Sequence, residues 1–225
     1  MFVVSEAFRK AYPGACAGAL AMRGVKNPDF HPTLDARRVD LEVQLRERYA
    51  GLDRAGLKAI PAIQANNAYY AHYGSTYHVQ LQLESVVLKG RSIARAAALV
   101  QAMFMAELKN LLLTAGHDLQ TVQLSVALDV ASGTETYTAL NGQERVLKPG
   151  DMFISDAQGI LSSVLYGPDS RTRIQPGTED VLFAVYAPAG IGAQAVREHL
   201  RDLATFVQCV APDALVESLE VVGSQ

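Results

Sequence analysis

An α+β fold is predicted by three features of this chain. Helical patterning fills both ends, short strand-like runs are grouped in the middle, and the two do not alternate as they would in a doubly wound sheet. The clearest stretch runs from Asn141 to Ile191. There the apolar runs Met152–Ile154, Ile160–Tyr166 and Val181–Ala187 are separated by Pro149-Gly150-Asp151, Asp156-Ala157-Gln158-Gly159, Gly167-Pro168-Asp169-Ser170 and Pro176-Gly177-Thr178. Gly, Pro, Asp and Ser at those places reverse the chain, so the stretch reads as a series of strands and turns. No internal repeat, low-complexity tract or long linker interrupts the 225 residues, and residues 1–225 read as one domain.

The elements follow in order. Phe2–Val4 and Ala15–Met22 are apolar enough for strands. Between them Ser5 is placed to cap a short helix over Glu6–Ala11, because its hydroxyl can accept a free amide of the first turn. Pro13-Gly14 then makes a turn, and Asn27-Pro28 breaks the chain again. Leu34 to Tyr49 mixes apolar residues with Arg37, Arg38, Arg46 and Arg48, which predicts a helix with a solvated basic face. Pro61 suits the first turn of a helix reaching Tyr73, ended by Gly74-Ser75-Thr76. Val79 to Leu88 alternates at first, but Val86-Val87-Leu88 breaks the alternation. Glu84-Ser85 would sit badly in a fully apolar strand, so a helix closed by Gly90 is expected.

Ala94–Leu113, rich in Ala, Leu and Met, predicts the longest helix, with Phe104, Met105, Leu108, Leu111 and Leu112 packed inward. After Thr114-Ala115-Gly116 the pattern changes to strands, first Leu124–Val130 and Thr136–Leu140, with Asn141-Gly142 as a hairpin turn. Ala193–Val210 returns to helix. A last helix is expected from Pro212 to Val221.

Apolar residues make up 49% and charged residues 19%, a globular composition with ample material for a core. The longest apolar candidate, Ala94 to Leu113, is interrupted by Arg95, Gln101, Glu107, Lys109 and Asn110, so no membrane span is expected. Met1 to Lys10 lacks a basic start followed by an apolar run, and no signal peptide is read there. Cys16 and Cys209 give neither a disulfide framework nor a metal motif, which fits a reduced cytoplasm. The net charge of −3 argues against a broad phosphate grip and so against DNA as a partner; any RNA contact has to be local.

The common catalytic signatures are missing. There is no G-x-S-x-G, no P-loop and no G-x-G-x-x-G. The five histidines, His31, His72, His78, His117 and His199, show no zinc-ligand spacing. No metal or cofactor is expected. His117 stands out, after Gly116 at the end of the long helix and before Asp118. Either the helix dipole holds it there for local reasons, or it serves a site. Tyr166 to Arg173 also stands out. Gly167 permits positive φ or close approach of a ligand. Its amide, with those of Asp169 and Ser170, can bind a developing oxyanion or a carboxylate. The other reading is a tight loop held by an Asp side chain. Arg171 and Arg173 either meet phosphate or flank an edge strand.

Four segments add a resemblance. They are TYHVQLQLESVVLKGRSI, MAELKNLLLTAGHDL, LKPGDMFISDAQGILSSVLYGPDSRTRI and GTEDVLFAVYAP. In that order and spacing, over residues 69–191, the chain resembles the editing module of the beta subunit of bacterial phenylalanyl-tRNA synthetase and its free-standing relatives. The resemblance implies helices at both ends around a sandwich-like antiparallel or mixed sheet core. It implies hydrolysis of the ester of a mischarged aminoacyl-tRNA, with the tRNA acceptor end and its amino acid as partner. It carries catalytic roles to His117 and Gly167, and substrate contacts to Asn110, Asp169, Ser170, Arg171 and Thr172. The family's closing strand holds a glutamate that reads a tyrosine hydroxyl. Here that stretch is Val181-Leu182-Phe183-Ala184-Val185, without an acid, which leaves the amino acid open. The chain is too short to contain an aminoacylation core. A module that binds tRNA or an amino acid without catalysis is the alternative.

Overall fold

A computed structural model describes residues 2–223; Met1, Ser224 and Gln225, the ends of the expected span, lie outside the described residues. Strand β1 (Phe2–Val4) leads to helix α1 (Glu6–Ala11), where the Ser5 hydroxyl accepts the Phe8 amide at 3.0 Å, as the local sequence demands. Strand β2 (Cys16–Arg23) follows. A helical stretch then runs through α2 (Pro32–Arg48), α3 (Arg54–Lys58), α4 (Pro61–His72), α5 (His78–Val87) and α6 (Ala98–Asn110). Proline opens α2 and α4, where a missing N–H leaves no bond unmade. The short α3 escaped the sequence reading, although Asp53 caps it by accepting the Gly56 amide at 2.8 Å.

Strands dominate the rest. They are β3 (Thr114–Asp118), β4 (Val126–Val130), β5 (Thr136–Thr138), β6 (Glu144–Val146), β7 (Met152–Asp156), β8 (Gly159–Ser163), β9 (Gly167–Pro168) and β10 (Asp180–Ala187). Helix α7 (Ala193–Gln208) and strand β11 (Leu215–Gly223) finish the described chain. The α+β class is borne out. One sheet runs β1-β4-β7-β8-β9, mixed because β1 and β4 are parallel. The other runs β11-β2-β10-β3 and is antiparallel throughout, and β5-β6 forms a separate hairpin.

Strand alternation explains how the layers stack. Along β10, Leu182, Ala184 and Tyr186 belong to one apolar cluster, shared with Leu128, Ile154 and Leu161 of the five-stranded sheet. Val181, Phe183, Val185 and Ala187 belong to a second, shared with Leu200, Leu203 and Val207 of α7. The four-stranded sheet is therefore the middle layer, with the other sheet on one face and helix on the other. Gly18 lets α7 approach β2. An added Cβ would lie 2.6 Å from a Val196 methyl and 2.9 Å from a Leu200 methyl.

The structure overturns two expectations about the elements. Pro212–Val221 is not a helix; Leu215–Gly223 is a strand paired antiparallel with β2. A register shift between Val216 and Ser218 puts Glu217 out of step, so the period of two is broken and unreadable along the sequence. His117 is also not at a helix end. Helix α6 stops at Asn110, and Leu111 reverses the chain with φ of 60°, so His117 falls inside β3. The helix-dipole reason for an imidazole there no longer applies.

Candidate functional site

Strand β3 has two polar faces. Its register against β10 pairs His117 with Leu182, so the imidazole points toward the five-stranded sheet. It is fully buried, and its neighbours account for both ring nitrogens. Nδ1 lies 2.7 Å from Thr172 Oγ1, and Nε2 lies 3.2 Å from Ser162 Oγ. The Thr172 hydroxyl donates to Asp169 Oδ1, so it must accept from His117. That makes Nδ1 the protonated nitrogen and Nε2 the acceptor of the Ser162 hydroxyl proton. The Tyr186 hydroxyl reaches Ser162 in turn, 2.9 Å from its Oγ and 3.1 Å from its carbonyl. A directed chain results: Tyr186, Ser162, His117, Thr172, Asp169. Burial first, and the Arg171 charge second, push the His117 pKa down to about 3. The ring is neutral throughout the physiological range.

The far end of this chain reaches a surface. Asp169, Ser170 and Arg171 line a polar hollow of about 220 Å³, with β5 (Thr136, Tyr137, Thr138) and the turn between β7 and β8 forming the other walls. His117 lies behind that hollow and touches it only through Thr172 and Asp169. Burial raises the Asp169 pKa above the ordinary carboxylate value, against the pull of the Thr172 bonds and Arg171. One Asp169 oxygen accepts the Thr172 amide at 3.1 Å as well as its hydroxyl; the other lies 3.6 Å from Arg171 Nε.

Gly167 has the positive φ, 75°, that the sequence suggested, and nothing lies within 4 Å of where its Cβ would be. Its carbonyl accepts the Tyr137 hydroxyl at 2.7 Å, which pins the loop to β5. The amides of Asp169 and Ser170 are engaged, by Leu161 O at 2.7 Å and Thr138 O at 2.9 Å, and so are not the free oxyanion donors the sequence suggested. Arg171 is also engaged. Its guanidinium bonds Thr121 O, Gln158 Oε1 and Asp156 Oδ1 at 2.9, 3.0 and 2.9 Å. It knits the loop to the β7–β8 turn instead of standing free.

The structure thus joins His117, Gly167, Asp169, Ser170, Arg171 and Thr172 into one neighbourhood. Asn110 stands apart. Its amide donates to Asp202 of α7 at 3.0 Å, beside the Lys109–Asp202 ion pair at 2.7 Å. That contact belongs to the helix layer, whereas His117 faces the opposite sheet.

The B3/4 domain profile matches residues 87–220, well over half of the chain and the whole of this neighbourhood. The chain belongs to the B3/4 domain family. It is similar to the phenylalanine–tRNA ligase beta subunit of Mycoplasma pneumoniae, 35% identical over 69 residues, and to that of Mycoplasma genitalium, 30% identical over 69 residues. Each match covers 31% of this chain and 9% of the relative, so the chain aligns with only a small part of those subunits. An N-terminal fragment of the phenylalanyl-tRNA synthetase beta subunit from Pyrococcus horikoshii superposes with a TM-score of 0.50 at 12% identity, over 98% of this chain and 50% of the fragment. At that identity the likeness is one of fold.

Three polar residues of this B3/4 neighbourhood escaped the sequence reading: Ser162, Tyr186 and Asp156. Ser162 follows Ile160-Leu161 in β8 and Tyr186 lies in the apolar run of β10, and a hydroxyl at a buried position is the one signal that marks them. Asp118 follows His117 along β3. It faces the other way, where it accepts the Thr178 hydroxyl at 2.8 Å and closes the loop before β10. No helix among the described residues is long and apolar enough to cross a membrane.

Proposed function

We propose that the chain hydrolyses the ester of a mischarged aminoacyl-tRNA, taking the acceptor end and its amino acid at the hollow beside Gly167–Thr172. One observation carries the reading: Asp169 faces a polar hollow while a buried imidazole fixes it from behind. The likeness to phenylalanine–tRNA ligase beta subunits supports tRNA as the partner. The cytoplasm, where charged tRNA is made, is the expected compartment.

The chemistry follows from the residues. Asp169, its pKa raised by burial, is a stronger base than an exposed carboxylate and takes a proton from attacking water. The water oxygen bonds to the ester carbonyl carbon. The bond from that carbon to the ribose oxygen then breaks, and the ribose oxygen receives the proton. His117 acts through Thr172 as a positioning residue, because a neutral ring with both nitrogens bonded holds the Asp169 carboxylate in one orientation. Among the described residues the Arg171 amide has no partner, and it is available to the developing oxyanion. Gly167 shapes the loop, since its positive φ is strained for any other residue. Asn110, tied to Asp202, steadies the helix pair in this reading.

The test is a panel of misacylated tRNAs incubated with the purified chain. Ester loss above the spontaneous rate for at least one amino acid is expected, and Asp169→Asn should slow it about 100-fold. Decay of every ester at the spontaneous rate would end the proposal. A second reading, binding of an amino acid or tRNA end without hydrolysis, is favoured by the engaged amides of Asp169 and Ser170. Calorimetric binding without ester loss is the result that would select it.

A further inference from the structure

A second recess lies between α5, α6 and the loop that joins them. Its volume is about 170 Å³, and Gln82, Ser85, Ser92, Ile93, Phe104 and Leu108 are among its walls. Phe104 is half-buried, so a ring is presented at the wall of a cleft of nucleobase size. The Gln82 amide and the Ser85 hydroxyl have no partner among the described residues, and they supply both donors and acceptors beside that ring.

The loop beside it is cationic. Lys89, Arg91 and Arg95 are exposed along the joining loop, and neither Lys89 nor Arg91 has an ion-pair partner among the described residues. The loop is held in place. The Arg91 amide bonds Ser85 O at 3.0 Å at the edge of the cleft. Arg46 of α2 bonds Val86 O at 3.2 Å and Arg91 O at 3.3 Å, and Glu42 accepts the Ile93 amide at 2.9 Å. Concentrated positive charge in a chain of net charge −3 is selective for a polyanion at this place. An aromatic wall, unpartnered polar groups and adjacent cations are the features that hold an unstacked nucleotide.

We infer that this cleft takes one unstacked nucleotide of a single-stranded RNA segment, its base against Phe104 and its phosphates on Lys89 and Arg91. The inference rests on the tRNA reading above and adds a contact that shares no residue with the Asp169 hollow.

The test is fluorescence anisotropy with a short single-stranded oligoribonucleotide ending in cytidine-cytidine-adenosine, across a salt series. The double variant Lys89→Ala/Arg91→Ala is expected to bind more weakly and to flatten the dependence of log affinity on log salt by about 1.4, two phosphates' worth for a single strand. Phe104→Leu is expected to bind about ten-fold more weakly with the salt dependence unchanged, as loss of base stacking requires. Because Phe104 packs partly against the core, amide shifts of the unmodified chain provide a check that needs no variant. Saturable shifts at Ser85, Arg91 and Ser92 are expected on adding the oligonucleotide. Absence of those shifts, or Phe104→Leu binding at full strength, overturns the cleft. Adenosine monophosphate binding as tightly as the oligonucleotide assigns it to a free nucleotide and overturns the RNA source. Loss of this contact with ester hydrolysis intact removes only this inference; loss of both removes the proposed function as well.

Discussion

His117 and His199 are both fully buried and both bonded to a threonine, yet they lie on opposite faces of the four-stranded sheet. His199, on α7, has Nε2 2.7 Å from Thr114 Oγ1. The Thr114 amide in turn bonds Glu107 at 2.9 Å, and Glu107 is buried in α6 with its pKa pushed up to about 8 by that burial. This group stays in the interior between two helices and a strand, with His199 Nδ1 buried and without a hydrogen-bond partner among the described residues. The His117 group instead runs outward to Asp169 and a hollow. Burial pushes both imidazoles down, to about 3 and about 4. A shifted pKa therefore does not separate the two, and the route from the ring to the surface does.

The sharpest way to break this comparison is to remove each ring. His117→Ala is expected to destabilise the fold by about 3 kcal/mol, since it opens a cavity and takes one hydrogen-bond partner from each of the Ser162 and Thr172 hydroxyls. His199→Ala should destabilise by about 2 kcal/mol for the same kind of reason. Urea denaturation measures both. Only His117→Ala should also slow ester hydrolysis under conditions where the variant is folded. Equal loss of hydrolysis in the two variants would erase the distinction.

Asp169→Asn comes next. Hydrolysis is expected to fall about 100-fold, in the range of a lost general base. Stability should change far less, because the amide oxygen can still accept from Thr172. A rate within two-fold of the parent's, about the scatter of such assays, would move the base elsewhere.

The pH dependence of stability separates Glu107 from the two histidines by sign. Glu107 has an ordinary value of 4.5 and a folded value of about 8, so between them the folded chain holds a proton that the unfolded chain has lost. Its contribution to stability is full below 4.5 and falls as pH rises toward 8. The two histidines act in the opposite direction. The unfolded chain gains their protons as pH falls through 6.5 while the folded rings stay neutral, so stability falls on the acid side. Glu107→Gln should flatten the alkaline limb alone. Denaturation midpoints at about pH 5 and about pH 8 check this, and an unchanged alkaline slope would place the titration on another group.

Gly167→Ala is the mildest change. Nothing crowds the added methyl, so only the positive φ opposes it, at about 1 kcal/mol. A melting curve indistinguishable from the parent's would show that the loop relaxes without cost.

Much of the site was visible along the chain because its parts are local. Gly167 through Thr172 form one turn, and Gly-Pro-Asp-Ser states its chemistry in consecutive residues. Asp169 bonding the amide three residues on is the Asp-held loop that those residues suggested. What stayed hidden was everything that reaches across sheets. Ser162 and Tyr186 lie on different strands and meet His117 only when β8 and β10 face each other. The engaged amides of Asp169 and Ser170 were equally invisible, because Leu161 O and Thr138 O come from other strands.

The same division holds for the fold. Ser5 capping α1, the prolines that open α2 and α4, and the positive φ of Gly167 follow from neighbours within a few residues, and residue order alone decided them. The strand character of Leu215–Gly223, and the place of His117 inside β3, were decided only by pairing with β2 and β10. Strand hydrogen bonds join residues far apart in sequence, and a bulge or a single left-handed residue shifts their register without leaving a periodic trace.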